Sequence, residues 1–264
     1  MTIAIRHTIG QRLGWTVSDT LVMAWRNLLR YVRLPQLLVF STIQPVMFML
    51  LFVYVFGGAI NVGGVRYIDY LLPGIFVQTA VFGSMQTGIG LADDLSRGMI
   101  DRFRSLPMAR PAVLAGRILA DTARNAFVVL LMIGVGSLVG FRFHQGALYA
   151  IAVPALAILF GLAFSWVSAC IGISVRETES VQVASFIWIF PLVFISSVFV
   201  PVQSMPGWLQ AFAKISPVTV TVDALRAFSL GGPVATPLWK SLAWIGAILA
   251  VFAPLAVYRY RRIR

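Results

Sequence analysis

The sequence predicts an all-α membrane protein: six transmembrane helices, an amphipathic interfacial helix ahead of them, and both termini in the cytoplasm. Three observations carry that prediction. Apolar residues make up 59% of the 264-residue chain and charged residues only 11%; a soluble domain carries about a quarter charged residues, so these few cannot cover a water-facing surface. The apolar residues gather into runs of about 20, the length that crosses the hydrocarbon core. The basic residues collect at the ends of those runs, mostly on one side.

Five runs meet the length standard: 37–56, 71–91, 118–140, 147–173 and 181–200. A sixth, 242–258, is slightly short but is flanked by Trp239, Trp244, Tyr258 and Tyr260, and such aromatics favour the headgroup level. With both termini inside, segments 1–36, 92–117, 174–180 and 259–264 hold fifteen basic residues, and the outer segments hold five: Arg66, Arg142, Lys214, Arg226 and Lys240. That threefold excess orients the chain N-in and C-in. The chain then divides into a cytoplasmic N-terminal segment (1–36), a six-span domain (37–258) and a basic cytoplasmic tail (259–264). The net charge of +12 fits anionic lipid headgroups rather than nucleic acid, because the arginines sit at span ends.

In the N-terminal segment, Leu21, Val22, Trp25, Leu28, Leu29 and Val32 fall on one helical stripe, with Asp19, Arg26, Asn27, Arg30 and Arg33 on the other side. Ser18 is placed to cap that helix, and Pro35 separates it from the first span. Such a helix lies in the membrane interface or packs against protein. Five arginines and no early apolar core argue against a secretory signal.

Several chemistries are excluded. There is no G-x-x-x-x-G-K-[ST] loop, and neither Lys214 nor Lys240 follows a glycine, so this chain lacks the cradle that ATP hydrolysis requires. His7 and His144 lie in opposite flanking loops and form no metal-binding pair. Cys170, the only cysteine, sits inside an apolar run and reads as a small buried hydrophobe. No catalytic, cofactor or metal site is expected. Only Asp121 and Arg124 enter a span, spaced i, i+3, and they read as an ion pair at a helix end. With no acid at mid-membrane, the energy for any active transport must come from elsewhere. Polar residues in spans two and five (Gln78, Thr79, Gln86, Thr87, Gln182, Ser185, Ser196 and Ser197) either face a route or make interhelical hydrogen bonds.

The loop 92–117 is the most informative stretch. Ile100, Phe103 and Leu106 recur every three residues, Asp101, Arg102 and Arg104 point elsewhere, and Pro107 ends the turn. This is a short mixed-charge amphipathic helix, suited to docking in a partner's groove or to lying in the interface with its charges solvated. On the outer face (202–239), Trp208, Leu209, Phe212 and Ile215 form an apolar stripe and Pro217 breaks the chain. A second helix then runs from Thr219 to Leu230 and ends at Gly231-Gly232-Pro233.

The string Arg97-Gly98-Met99-Ile100-Asp101-Arg102-Phe103-Arg104-Ser105-Leu106-Pro107, with Ala109-Arg110 and Gly116-Arg117 after it, closely resembles the hallmark segment of the ATP-binding-cassette type-2 permeases. Within these it resembles the daunorubicin-resistance exporter branch. Phe199-Val200-Pro201-Val202-Gln203-Ser204-Met205-Pro206-Gly207-Trp208-Leu209, followed by Ile215-Ser216-Pro217-Val218-Thr219, is a second matching stretch, and the resemblance covers nearly the whole chain. It implies a permease subunit that works with a second copy or a related permease, driven by a separate cytoplasmic ATPase subunit that binds the ATP and Mg. It further implies a coupling helix at about 94–106, with Asp94, Gly98, Ile100, Asp101, Arg102, Phe103, Arg104 and Leu106 as the residues at issue. By the same resemblance the N-terminal helix is a connecting helix beside that interface, and the outer helices dip into the membrane. The cargo expected is a hydrophobic or amphipathic compound such as a drug, lipid or polyketide. The residues alone also fit an ATP-independent facilitator or channel, or a structural subunit of a membrane complex.

Overall fold

The computed structural model describes residues 9–60, 62, 64–99, 110–175 and 177–262, and among these every regular element is helical. Helix α1 spans Ile9–Arg33 and α2 spans Pro35–Leu51, running on into a π-turn at Phe52–Phe56. The next helices are α3 (Tyr67–Ser96), α4 (Arg110–Val139), α5 (Ala147–Val175) and α6 (Thr178–Phe194). A short 3₁₀ turn at Val202–Ser204 leads to α7 (Gly207–Ile215), α8 (Pro217–Leu230) and α9 (Ala235–Arg262). Five helical stretches are long and apolar enough to cross a membrane: Leu38–Phe56, Tyr67–Ser96, Pro111–Val139, Ala147–Val175 and Ala235–Arg262.

The expected spans are corrected at three points. The run 181–200 leaves the helix at Ile195, giving a helix of 17 residues. Pro191 removes a backbone donor near its end, and the Ser196 hydroxyl donates to the Val193 carbonyl. The last run, expected to be short, belongs to a helix of 28 residues. In the first helix Ser18 is internal rather than a cap, since α1 already runs from Ile9. The predicted coupling helix over Met99–Leu106 falls largely outside the described residues, which stop at 99 and resume at 110.

Helix α3 is the axis of the subunit, packing most extensively on α5 and also touching α4, α6 and α8. Of its most apolar window 83% is buried, against 6% for the stretch Leu38–Phe56. Helices α3 and α5 approach closely because small residues line the seam. A side chain on Gly172 would place its Cβ 2.3 Å from the Gly88 carbonyl oxygen, and the Ser84 and Ser168 hydroxyls meet at 3.2 Å. Between lipid-embedded helices, where no hydrophobic driving force acts, such close backbone approach supplies the attraction. Helix α1 turns Met23, Ala24 and Asn27 inward against α4, and leaves Trp15, Leu21, Val22, Trp25 and Val32 exposed. The residues that formed the apolar stripe in the sequence are thus on its outward side.

At the end of the bundle where α3 begins and α6 ends, α8 is buried beneath α3, α5 and α9, while α7 exposes Trp208, Phe212 and Ile215. Pro217 occupies the first turn of α8, where its missing N–H costs nothing, and the helix stops at Gly231 with φ +100°. The break after Phe194 frees carbonyls that must find donors. Arg226 on α8 supplies most of them, donating to Ser197 at 2.5 Å, Val198 at 3.2 Å and Tyr70 at 2.9 Å. Its guanidinium also lies 3.5 Å from the centre of the Tyr70 ring. The Tyr67 hydroxyl donates to the Phe199 carbonyl. Non-helical backbone is tolerated near lipid only where protein satisfies it in this way.

Two outcomes are expected. Gly172→Val forces α3 and α5 apart and should destabilise the chain by about 1–3 kcal/mol, the usual penalty for overpacking; Gly246→Val, where nothing lies within 4 Å, should leave the melting temperature in detergent unchanged. Arg226→Ala leaves the Val198 carbonyl without its donor and strips one donor each from the Ser197 and Tyr70 carbonyls, which should cost about 1–3 kcal/mol, visible as a lower melting temperature and faster hydrogen exchange over 195–200. Arg226→Lys, a single point charge, should recover only part of that loss.

Candidate functional site

The C-terminal ends of α1 and α3 and the N-terminal part of α4 meet in a buried cluster of charges. Arg117, on α4, pairs with Asp94 of α3 at 3.3 Å and with Asp121 one turn along α4 at 3.2 Å. Its side chain is only 8% exposed. A Cβ on Gly90 would collide with the Arg117 guanidinium, so the glycine leaves the space this arginine fills. From α1 the Tyr31 hydroxyl donates to Asp121 at 2.5 Å. Burial, with the Asp121 carboxylate beside it, holds that hydroxyl above its ordinary pKa, so it remains a donor at neutral pH. At the rim, Asp93 accepts from Arg97 at 2.8 Å and faces Arg30 at 3.6 Å. Each carboxylate thus answers at least one guanidinium, and three helices are held in one register.

The predicted pair of Asp121 with Arg124 does not form, because Asp121 is taken by Arg117 and Tyr31. Arg124 is also far from a helix end, since α4 begins at Arg110. It reaches the level of Gly83, donating from Nη2 to the Gly83 carbonyl at 2.7 Å and to Asn125 Oδ1 at 3.0 Å. Gly83 is thirteen residues from Ser96, about 20 Å along the helix, so this guanidinium lies deep in the span. Residue spacing alone missed it: the apolar run was taken to start at residue 118, and the first turns of α4 were therefore not counted.

Two adjoining cavities share Arg124. The one at the charge cluster, about 440 Å³, carries Asn27, Arg30, Tyr31, Asp93, Arg97 and Arg117 on its wall. The deeper one, about 220 Å³, is lined by Gln78, Thr79, Gln86, Asn125, Gln182 and Phe186 among others. Ser41 and Gln44 of α2, with Gln86 and Ile89 of α3, border both. The result is a crevice between α2, α3, α4 and α6 that reaches from the charge cluster to the middle of the bundle. Beyond it, Phe48, Phe52, Phe194 and Phe199 pack between α2 and the end of α6, with ring centroids 4.4–6.5 Å apart.

Of the eight polar residues singled out in the sequence, Gln78, Thr79, Gln86 and Gln182 line this crevice. Thr87 and Ser185 are buried away from it. Ser196 and Ser197 lie in the outer break, where Ser197 donates to Asp223 and accepts from Arg226 through its carbonyl. Among the coupling residues, Asp94 is engaged with Arg117 and Gly98 follows the end of α3 with φ +64°. Ile100, Asp101, Arg102, Phe103, Arg104 and Leu106 lie outside the described residues. Among the described residues no group of three metal-ligating side chains exists.

Comparison with known proteins agrees with this architecture. The pattern of the family "ABC-2 type transporter" matches residues 18–229. The chain is 36% identical over 245 residues to a daunorubicin resistance ABC transporter permease protein of Streptomyces coeruleorubidus, covering 93% of this chain and 87% of that one. It is 32% identical over 248 residues to a "probable doxorubicin resistance ABC transporter permease protein" of Mycobacterium tuberculosis, covering 93% and 89%. A doxorubicin resistance ABC transporter permease protein of the same organism is 27% identical over 206 residues, covering 75% and 68%. A family match over most of the chain, on a bundle of membrane-length apolar helices, makes this a multi-pass membrane protein that belongs to the ABC-2 type transporter family.

Proposed function

We propose that this chain is the permease subunit of an exporter that carries a hydrophobic or amphipathic compound out of the cell, powered by a separate cytoplasmic ATPase. The observation that carries this reading is the crevice. It begins at a charged inner rim, runs to mid-depth beside amides and hydroxyls, and is followed on the outer side by packed phenylalanines. A compound entering from the inner leaflet has a place to stay until that aromatic plug parts. The relatives' names, which speak of resistance to daunorubicin and doxorubicin, support export and a cargo of amphipathic character.

In this reading α6 is the fifth of six spans, completed by the non-helical stretch after Phe194, α9 is the last, and both termini face the cytoplasm. The fifteen-to-five distribution of basic residues supports that orientation. Helix α1 lies in the interface, its exposed Trp15, Leu21, Val22 and Trp25 in contact with lipid. The stretch Leu38–Phe56, nearly unburied within one subunit, is where a second copy or a related permease fits. ATP and Mg belong to the ATPase partner, which docks on the segment 94–106.

Three measurements test this. Purified chain alone should show no ATP turnover, since it lacks a phosphate-binding loop; hydrolysis persisting after removal of co-purifying ATPases would end the division of labour. Arg102→Glu and Phe103→Ala should leave membrane localisation normal and weaken recovery of the ATPase roughly thirtyfold, the effect of losing about 2 kcal/mol at an interface anchor. Normal recovery and transport in both variants would remove the coupling role. In a Cys170→Ala background, single cysteines at positions 62 and 144 should react with an impermeant reagent in intact cells, and those at 7 and 263 should not; the reverse pattern would invert the topology.

A further inference from the structure

The deep guanidinium of Arg124 has more donors than the protein uses. It is 4% exposed, and both of its hydrogen bonds leave from Nη2. Nε is buried with no partner. No carboxylate pairs with it among the described residues, because Asp121 and Asp94 are committed to Arg117. The Tyr31 ring lies 5.8 Å from its guanidinium carbon, a contact too weak to replace a counter-ion at this depth. A buried charge far inside a span is costly unless it is paired, and such residues mark ligand paths. Arg124 stands where the two cavities join, and a second buried polar atom without a partner, Gln78 Oε1, belongs to the wall of the deeper one. Of the four arginines on the wall of the larger cavity, Arg30 and Arg97 face Asp93 and Arg117 is held by Asp94 and Asp121, which leaves Arg124 as the one with no carboxylate among the described residues.

We propose that the crevice recognises an amphiphile bearing a compact anionic group, a phosphate or carboxylate, whose oxygens take the free donors of Arg124. The free Nε–H and Nη1–H can each make a charge-assisted hydrogen bond to an oxyanion oxygen, which a quaternary amine cannot accept and a neutral sugar accepts more weakly. The apolar part of the ligand then lies against Phe82, Val128 and Phe186, and Gln78, Gln86 and Gln182 meet any hydroxyl or carbonyl next to the anion. A cationic head would meet the uncompensated charge of Arg124, so it is disfavoured there. This inference rests on the export reading for its biological sense, but its binding chemistry is testable without the ATPase.

The experiment uses the full chain in phosphatidylcholine nanodiscs and three probes that share one alkyl chain: dodecyl phosphate, dodecyltrimethylammonium and dodecyl maltoside. Dodecyl phosphate should bind at least about tenfold more tightly than the other two, and Arg124→Gln should erase that preference. Arg142→Gln, which removes one positive charge on the outer side, should leave the preference intact. Should Arg124→Gln fail to fold, Gln182→Glu decides, because it adds a carboxylate to the same wall and keeps the Arg124 bond to Gly83. It should weaken dodecyl phosphate selectively. Equal binding of the three probes, or a preference that survives both variants, overturns the proposal.

Two further arms separate the sources of the anion. If the ligand is cargo, inside-out vesicles holding the chain with its ATPase should move dodecyl phosphate when ATP is added. If it is a resident lipid, anionic phospholipid extracted from the purified chain should fall in Arg124→Gln while dodecyl phosphate is bound but not moved. ATP-driven movement of other compounds, with no head-group preference in the nanodiscs, would leave the export reading standing and remove this one. Arg124-dependent binding by a chain that pairs with no ATPase would do the opposite.

Discussion

Hydrocarbon offers no hydrogen bonds, and that constraint governs how this chain can depart from plain helices. Where α6 ends short, the carbonyls it abandons are met by Arg226, Tyr67 and Tyr70, reaching across from α8 and α3. Where charges enter the bundle at the other end of α3, Arg117, Asp94, Asp121 and Tyr31 satisfy one another in a closed set. Both devices converge on α3, which is why that helix is almost wholly buried. Its two ends carry the polar ties, and its middle carries the small residues that let α5 come near. The crevice exists because α2 and α6 stand off from this rigid centre instead of closing over it.

Much of the architecture was legible in the sequence because lipid imposes a length on each apolar run. The runs beginning at 37, 71, 118 and 147 each correspond to a helix, and the outer helix ending at the paired glycines 231 and 232 lies where turn chemistry puts it. The break at Ile195 was not legible. Pro191 and the two serines are ordinary in a membrane helix, and only the distant Arg226 makes leaving the helix affordable there.

The candidate site was half legible. Glutamines in an apolar run are conspicuous, and Gln78, Gln86 and Gln182 do meet at one wall. Hydroxyls carried no such signal: Ser84 closes a helix seam and Ser197 ties down a break, yet both look alike in a string. Arg124 was misjudged for a physical reason. Its neighbour Asp121 at i, i+3 suggested a pair, but the competing arginine at i−4 from that aspartate holds it more closely, and the contest cannot be scored without knowing where Tyr31 lies.

The contrast in burial between α2 and α3 bears on how the protein is made. Helices enter the bilayer in order of synthesis, and α2 arrives first with no Asp, Glu, Lys, Arg or His between Pro35 and Phe56. It can rest in lipid alone, because almost none of its surface needs another helix. Helix α3 cannot: Asp94 near its end and the bare seam of Gly88 await Arg117 and Gly172, and Asp69 awaits the backbone N–H of Arg142, all from segments still to be translated. Its final seat is therefore fixed only when α4 and α5 have emerged. A ribosome paused before residue 172 would leave the nascent chain anchored by α2 but without its core.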